Sequence, residues 1–324
     1  MKLEKVSDGI FANRDVLKDL SNVDAIIFDC DGVLIDITLS YDLAIDKTTK
    51  FVLKKFYGIT NPISITPEII DGFKSTGGFN DEVDLSYAVI LTIAVSEKLK
   101  KDQLELINQV IENAGPTGIS SVEKFLSKTF DVSDLKNKLN YPGNDRDSIL
   151  YTIFDQLFYG PQLYQKLFGK KSEFSESGLI ENDKIIVSKE LLSILKNKLK
   201  NKIAITTGRG LESIRYSLKN LLQEFDLKNS IFLEDESREL AKPNPEPLYR
   251  CIRGLDSVHC LYVGDSMEDY IMAKKVNDLG RKTTFCGIIG TSKNPTAKLE
   301  LFEKNNVPLA LDSIHLLPKV LNLV

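Results

Sequence analysis

With two histidines and four scattered cysteines (Cys30, Cys251, Cys260 and Cys286) that form no C-x-x-C pair, the chain gives a zinc site no support. Buried free thiols in a reducing compartment are expected instead. There is no basic block and the formal net charge is -4, so nucleic acid is not an expected partner. If the substrate is an anion, its positive field must be local, supplied by a metal, a few Lys or Arg, and backbone amides. No apolar run is long enough to span a bilayer, and the opening "MKLEKVSDGI" has no apolar signal region. A cytoplasmic protein with no membrane contact is expected. No repeat, low-complexity tract or heptad pattern is present, so nothing declares an oligomer interface.

What is present is ordinary for a globular protein. Hydrophobic residues make up 42% and charged residues 27% of 324 residues. That length suggests about two domains.

"VDAIIFD" (Val23 to Asp29) is a short β-branched run that reads as a buried strand, with Gly32 placed for a sharp turn after it. The segment before it, Val6 to Leu20, reads as a mixed helical stretch. From Ser40 to about Leu167 the periodicity is helical. Tyr41, Ile45, Val52 and Phe56 share a face; "ITPEII" offers Thr66 as N-cap and Pro67 at the first helical position; and "DEVDLSYAVILTIAVSEKLK" is one long helix. "NAGPTG" and "NYPGND" read as loops. After "SGLIENDKIIVS" strands alternate with helices: "KIAIT", "SIFLE", "VHCLYVG" and "TTFCGI" are the strands. Such alternation predicts an α/β fold, a Rossmann-like parallel sheet with helices on both faces. The expected division is an α/β core of 1–36 and 184–324 and an inserted all-α domain of 37–183.

Acids and polar residues close the predicted strands: Asp29 and Asp31 the first, Thr206, Thr207 and Gly208 the second, Asp265 a later one. In open α/β sheets that edge binds ligands. Three carboxylates gathered there would repel each other and raise each other's pKa. A hard cation resolves the conflict, and Mg²⁺ takes a few carboxylates plus water and phosphate oxygens. Thr207 can donate to a phosphoryl oxygen, the Gly208 N–H lies ahead of a helix where anions bind, and Lys242 is a cation able to neutralise a transferring phosphoryl group.

The pieces "DCDGVLID", "AITTG", Lys242 and "GDSMED", in this order, resemble the haloacid dehalogenase-like (HAD) superfamily, subfamily I, whose helical cap follows the first motif. In the second motif Thr207 precedes Gly as the family pattern expects and is preferred to Thr206. "FKSTGGFNDEVDL", "SYDLAIDKT", "LFYGPQLYQKLFG" and "GLIENDKII" are similar to a branch with members fused to an enzyme of histidine biosynthesis.

The resemblance implies phosphoryl transfer through an aspartyl-phosphate. Asp29 would be the nucleophile, and Asp31 the acid and then base. Mg²⁺ would be held by Asp29, the Asp31 carbonyl and Asp265, with Asp269 in the metal's outer shell or a direct ligand. Asp269 reads equally as a helix N-terminal acid. Arg209 either reaches the substrate or the cap, or caps a helix. Cys30 reads as packing, with a redox role as the alternative. The loop "KSTGGFND" reads either as a junction between cap helices or as a segment that brings Lys74 and Asn80 onto the leaving group. The expected function is a Mg²⁺-dependent phosphatase acting on a small phosphorylated metabolite. The alternatives are a phosphomutase, histidinol phosphate as the specific substrate, or a non-catalytic phosphate- and metal-binding module.

Overall fold

The computed structural model describes residues 3–79, 81–142 and 148–323, with only the backbone of Arg238. The chain begins with β1 (Glu4–Ser7), β2 (Ile10–Ala12), α1 (Arg14–Asp19), β3 (Ala25–Phe28) and β4 (Ile35–Asp36). Then come α2 (Thr38–Tyr57), α3 (Pro67–Ser75), α4 (Glu82–Leu99), α5 (Gln103–Asn113), α6 (Ile119–Leu126), α7 (Ser133–Leu139) and α8 (Ile149–Phe168), the last broken at Gly160. It continues through β5 (Lys184–Ile185), α9 (Lys189–Leu199), β6 (Ile203–Thr207), α10 (Leu211–Leu218), β7 (Ile231–Phe232), α11 (Glu246–Gly254) and β8 (Cys260–Gly264). The last elements are α12 (Met267–Asp278), β9 (Thr283–Ile288), α13 (Pro295–Lys304), β10 (Leu309–Leu311) and α14 (Leu317–Val320). Two compact units result: Met1–Thr38 with Asp183–Val324, and Leu39–Asn182.

The first unit is built on a sheet of order β1-β2-β10-β9-β8-β3-β6-β7. Strands β10, β9, β8, β3, β6 and β7 pair in parallel, as the α/β alternation requires. Every residue of β3 is buried, and successive side chains enter opposite faces. Ile26 and Phe28 join Leu191, Leu195 and Ile214 of α9 and α10 on one face. Ala25 and Ile27 join Leu248, Met272 and Phe302 of α11, α12 and α13 on the other. The four short apolar residues of β3 therefore serve two cores at once. That is why the strand reads as a continuous apolar run rather than an alternation.

One expectation fails at the start. Val6 to Leu20 is not a mixed helical stretch, because its first part is a hairpin. β1 and β2 pair antiparallel around a two-residue Asp8–Gly9 turn, and β2 then adds antiparallel to β10. Asp-Gly between two short runs is a hairpin signal, but the apolar residues of β2 are buried only because β10, some three hundred positions later in the chain, lies beside them.

The second unit is all helical among its described residues. α4 is apolar on every side, and Val83 and Leu85 through Ser96 are buried without a gap. A helix apolar all round belongs in the middle of a bundle, and α5, α6, α7 and α8 pack around it. Two of its hydroxyls are satisfied within the helix: Ser86 and Thr92 donate to the carbonyls of Glu82 and Ala88 four residues back. Thr66 sits at the N-cap of α3, but its side chain makes no capping bond. Among the described residues no helix is long and apolar enough to cross a membrane.

The paired glycines of "KSTGGFND" have a packing explanation. A methyl on Gly78 would stand 2.4 Å from the Gly115 carbonyl oxygen and 2.5 Å from the Gly118 nitrogen. The close backbone approach is therefore made to the chain's own "NAGPTG" loop. Gly78→Ala forces backbone apart and is expected to destabilise this unit by about 1–3 kcal/mol in urea unfolding. An unchanged midpoint would contradict the contact.

Candidate active site

β3 lies between β8 and β6, and the chain runs first to β6 and β7, then back across to β8 and β9. The strand order reverses beside β3, so a crevice opens at the carboxyl ends of β3, β6 and β8. Asp29, Thr207 and Asp265 stand at these three ends. The Asp29 N–H donates to the Val263 carbonyl at 2.8 Å, which continues the ladder one step beyond β3, and its Oδ1 accepts the Cys30 N–H at 2.8 Å. Gly32 makes the turn that follows, with φ of 70°. A methyl there would lie 2.4 Å from Asp265 Oδ2, so only glycine lets this turn come so close to the carboxylate of β8. Thr291 steadies the turn by donating to the Gly32 carbonyl at 2.7 Å.

Lys242 reaches the centre. Its Nζ lies 2.9 Å from Asp29 Oδ1 and 2.7 Å from Asp269 Oδ1. Asp269 is fully buried and closes a capping box with Ser266 at the start of α12. Lys242, the Tyr262 hydroxyl, the Asp265 and Ser266 N–H groups and the Ser266 hydroxyl all donate to it. A carboxylate offers about four lone-pair sites, so these donors occupy most of the capacity of Asp269.

The charges respond to this arrangement. Burial pushes the Asp29 carboxyl up, Asp269, Asp31 and Asp265 add repulsion, and Lys242 only partly offsets them. Burial also works against the charged form of Asp269, but Lys242 and the donors from Tyr262 and Ser266 outweigh it and hold its pKa below the usual carboxylate range. Lys242 is desolvated too, yet Asp269 and Asp29 keep it protonated. One oxygen each of Asp29, Asp265 and Asp269 lie within 4.8 Å of one another. Hard oxygen donors, with Asp29 short of counter-charge, fit an oxygen-preferring divalent cation. Asp29 and Asp265 carry fewer donors than Asp269, each facing one lysine.

The two threonines of "AITTG" part company. Thr206 points into the helix–sheet layer, where its hydroxyl meets Cys251 Sγ at 2.9 Å. Thr207 faces the other way, bonded to the Cys30 thiol, and its Oγ1 accepts the Arg209 N–H at 3.4 Å. Cys30 is buried and its thiol is pushed well up by burial and by Asp29 and Asp31, so it is held protonated as a packing residue. Gly208 has open space over its Cα. The helix that follows is already occupied at its N-terminus, because the Gly210 and Leu211 N–H groups donate to Glu234 and Asp235, each at 2.8 Å. The expected anion site is thus confined to the turn ahead of α10.

Arg209 was expected to reach a substrate or the cap, or to cap a helix. It is buried, and its guanidinium contacts Asp31, Asp183, Ser213 and Ser217. Lys74 belongs to the helical unit and pairs with Glu82 at 3.0 Å. Asn80 lies outside the described residues.

Sequence reasoning missed Lys298, whose Nζ is 2.7 Å from Asp265 Oδ2, and also Asp183 and Tyr262. Tyr262 had a signal, being the buried strand residue two before "GD". Lys298 and Asp183 had none, because each is one polar residue among many in an amphipathic segment.

Comparison with known proteins follows the same edge of the sheet. The profile of the haloacid dehalogenase-like hydrolases matches residues 180–277, which include Thr207, Lys242, Asp265 and Asp269. That match takes in less than half of the chain and does not include Asp29 or Asp31. Solved structures share the fold over most of the chain. A phosphatase from Thermococcus thioreducens is 22% identical, with 86% of this chain and 98% of that one covered and a TM-score of 0.58. A structural genomics target solved by X-ray is 19% identical, with 92% and 98% covered and a TM-score of 0.64. A predicted phosphoglycolate phosphatase from Haemophilus somnus is 14% identical, with 92% and 98% covered and a TM-score of 0.50. At such identities the likeness is one of fold alone. No curated protein matches significantly.

Proposed function

We propose that the protein hydrolyses a small phosphate monoester through an aspartyl-phosphate formed on Asp29. The observation that carries this reading is the convergence of Asp29, Lys242 and Asp265 at the switch point of a HAD-type sheet, with Asp31 two residues beyond Asp29. An Asp29 oxygen attacks phosphorus while the bond to the leaving alcohol breaks, and Asp31 protonates the departing oxygen. Asp31 then takes a proton from water, whose oxygen attacks the acyl-phosphate and frees inorganic phosphate and Asp29. Lys242 favours the ionised form of Asp29 and orients it, Asp269 holds Lys242, and the Thr207 hydroxyl binds a phosphoryl oxygen.

Asp29, Asp265 and the Asp31 main-chain carbonyl would hold Mg²⁺, which when bound supplies positive charge to the phosphoryl oxygens. The phosphatase names of the Thermococcus and Haemophilus neighbours support the reaction class. The helical unit, inserted in the chain between β4 and β5 directly after the Asp31 turn, is the part we assign to substrate choice, as a cap.

The test is phosphate release from a panel of esters: phosphoglycolate, sugar phosphates, nucleotides and histidinol phosphate, with Mg²⁺ and with chelator. Release from at least one ester is expected, abolished by chelator and restored by Mg²⁺. Phosphate returned to a sugar would make the protein a mutase. A silent panel with Mg²⁺-dependent ligand binding would make it a binding module.

A further inference from the structure

Behind Asp31 stands a buried charged cluster that the proposed reaction does not use. The Arg209 guanidinium is 4% exposed, and so is Asp183. Arg209 Nη1 donates to Asp183 Oδ2 at 2.9 Å and to Asp31 Oδ1 at 3.2 Å. Its Nε donates to Ser213 Oγ and its Nη2 to Ser217 Oγ, both at 2.9 Å. Ser217 in turn donates to Asp183 Oδ2 at 2.8 Å. Ser213 and Ser217 lie four and eight residues after Arg209, one above the other on the buried face of α10. The arginine therefore lies along the helix with its planar fork held from three sides.

A buried ion pair is a poor source of stability, since desolvation costs about as much as the pair returns and apolar residues of the same volume do as well. Arg209, Asp183 and the two serines already form a neutral, hydrogen-bonded set. The contact to Asp31 is additional to what that set needs, and Asp31 is the more exposed partner, with a side chain 24% accessible. Asp183 is also the first residue of the α/β unit after the helical insertion, and β4 and β5 pair beside it, Ile35 with Ile185 and Asp36 with Lys184. The guanidinium thus holds Asp183 directly, next to the strand pair through which the chain leaves and re-enters this unit.

We propose that Arg209, fixed by Asp183 and the two serines, is a positioning residue that sets where the Asp31 carboxylate stands relative to the leaving oxygen. The inference rests on the phosphatase reading and its assignment of Asp31 as the acid. Displacing a catalytic group by an ångström costs up to about 10²-fold in rate, and the loss falls on the step that needs the proton.

The experiment uses the full-length protein with Mg²⁺ and esters graded by leaving group: p-nitrophenyl phosphate, phenyl phosphate and an alkyl phosphate from the panel. Nitrophenolate departs without protonation, whereas an alkoxide does not. Asp31→Asn should lower kcat/KM on the alkyl ester by about 10²-fold or more and on the nitrophenyl ester far less. Arg209→Met and Asp183→Asn should show the same selectivity on a smaller scale, about 10- to 10²-fold on the alkyl ester and within a few-fold on the nitrophenyl ester. Arg209→Lys, which keeps the charge but not the fork, should fall between wild type and Arg209→Met. Should Arg209→Met fail to fold, Asp183→Asn and Ser217→Ala carry the test. Equal losses on all three esters would reduce the cluster to scaffolding and overturn the inference alone, provided Asp31→Asn remains selective. If Asp31→Asn also loses selectivity, the acid assignment falls and takes the inference with it.

Discussion

Asp29→Asn is expected to abolish turnover on any ester the wild type hydrolyses, by about 10⁴-fold or more, without loss of folded protein. Asn keeps the shape of Asp and an oxygen to accept the Cys30 N–H that Asp29 accepts at 2.8 Å. Lys242 loses one partner and keeps Asp269 at 2.7 Å. What disappears is the nucleophile, and the proposed chemistry has no second one.

Stability should move in the opposite direction. Burial and like charges raise the Asp29 pKa in the folded state, so the cost of ionising it is absent below its unfolded pKa of about 4 and grows as pH rises toward the folded value. In chelator at neutral pH the Asn variant should therefore melt at or above the wild-type temperature, and the gain should shrink toward the unfolded pKa. A group kept for chemistry at the expense of stability has this signature. Rapid quench followed by mass spectrometry should find a phosphorylated peptide containing residue 29 in wild type and none in the variant. Turnover within tenfold of wild type would remove Asp29 as the nucleophile.

The parts of this protein that sequence reasoning reaches are those with a local cause. β3 is legible because four apolar residues buried on both faces leave no alternation, and Asp29 is legible because an acid directly after such a run conflicts with burial. The same holds for Asp265 after β8 and for the cap of α4 at Asp81. Where the cause is tertiary, the reading fails. β2 is three residues long and is a strand because β10 lies beside it. For Arg209, after the second motif, the sequence left substrate, cap and helix end open, and it gave no sign of Ser213, Ser217 and Asp183 as partners. Gly77 and Gly78 look like a loop shaped for a ligand, and the backbone that approaches Gly78 is that of Gly115 and Gly118. The role of Asp269 was open from sequence for a related reason. Helix capping and contact with the charged centre are both local possibilities, and the structure gives the same carboxylate the capping bonds on one oxygen and Lys242 on the other.

That double duty makes Lys242 the residue whose loss should cost the fold most. Its Nζ bridges Asp29 and Asp269, whose carboxylates are nearly inaccessible. Lys242→Met keeps the length of the side chain and removes its charge, leaving two carboxylates in one low-dielectric site with no cation between them. Removing one partner of a buried pair costs about 3–5 kcal/mol, and that loss is expected for the variant in urea unfolding with chelator present.

The sign of the pH dependence distinguishes electrostatics from packing. Without Lys242 both carboxyls move upward in the folded state, so the cost of burying their charge is present above their unfolded pKa and disappears as pH falls to it. The deficit of Lys242→Met should therefore be largest near about pH 7.5 and clearly smaller near about pH 5. Asp269→Asn in the same background should recover part of it, because one of the two unpaired charges is gone. A simple packing defect would give a deficit independent of pH and no recovery. Catalysis should fall as well, on the order of 10²- to 10³-fold, since the charge that favours the ionised form of Asp29 is also the one the proposed reaction sets against the phosphoryl group. If the variant unfolds within about 1 kcal/mol of wild type near neutral pH, Lys242 does not neutralise this site, and the charge arrangement argued for Asp29 fails with it.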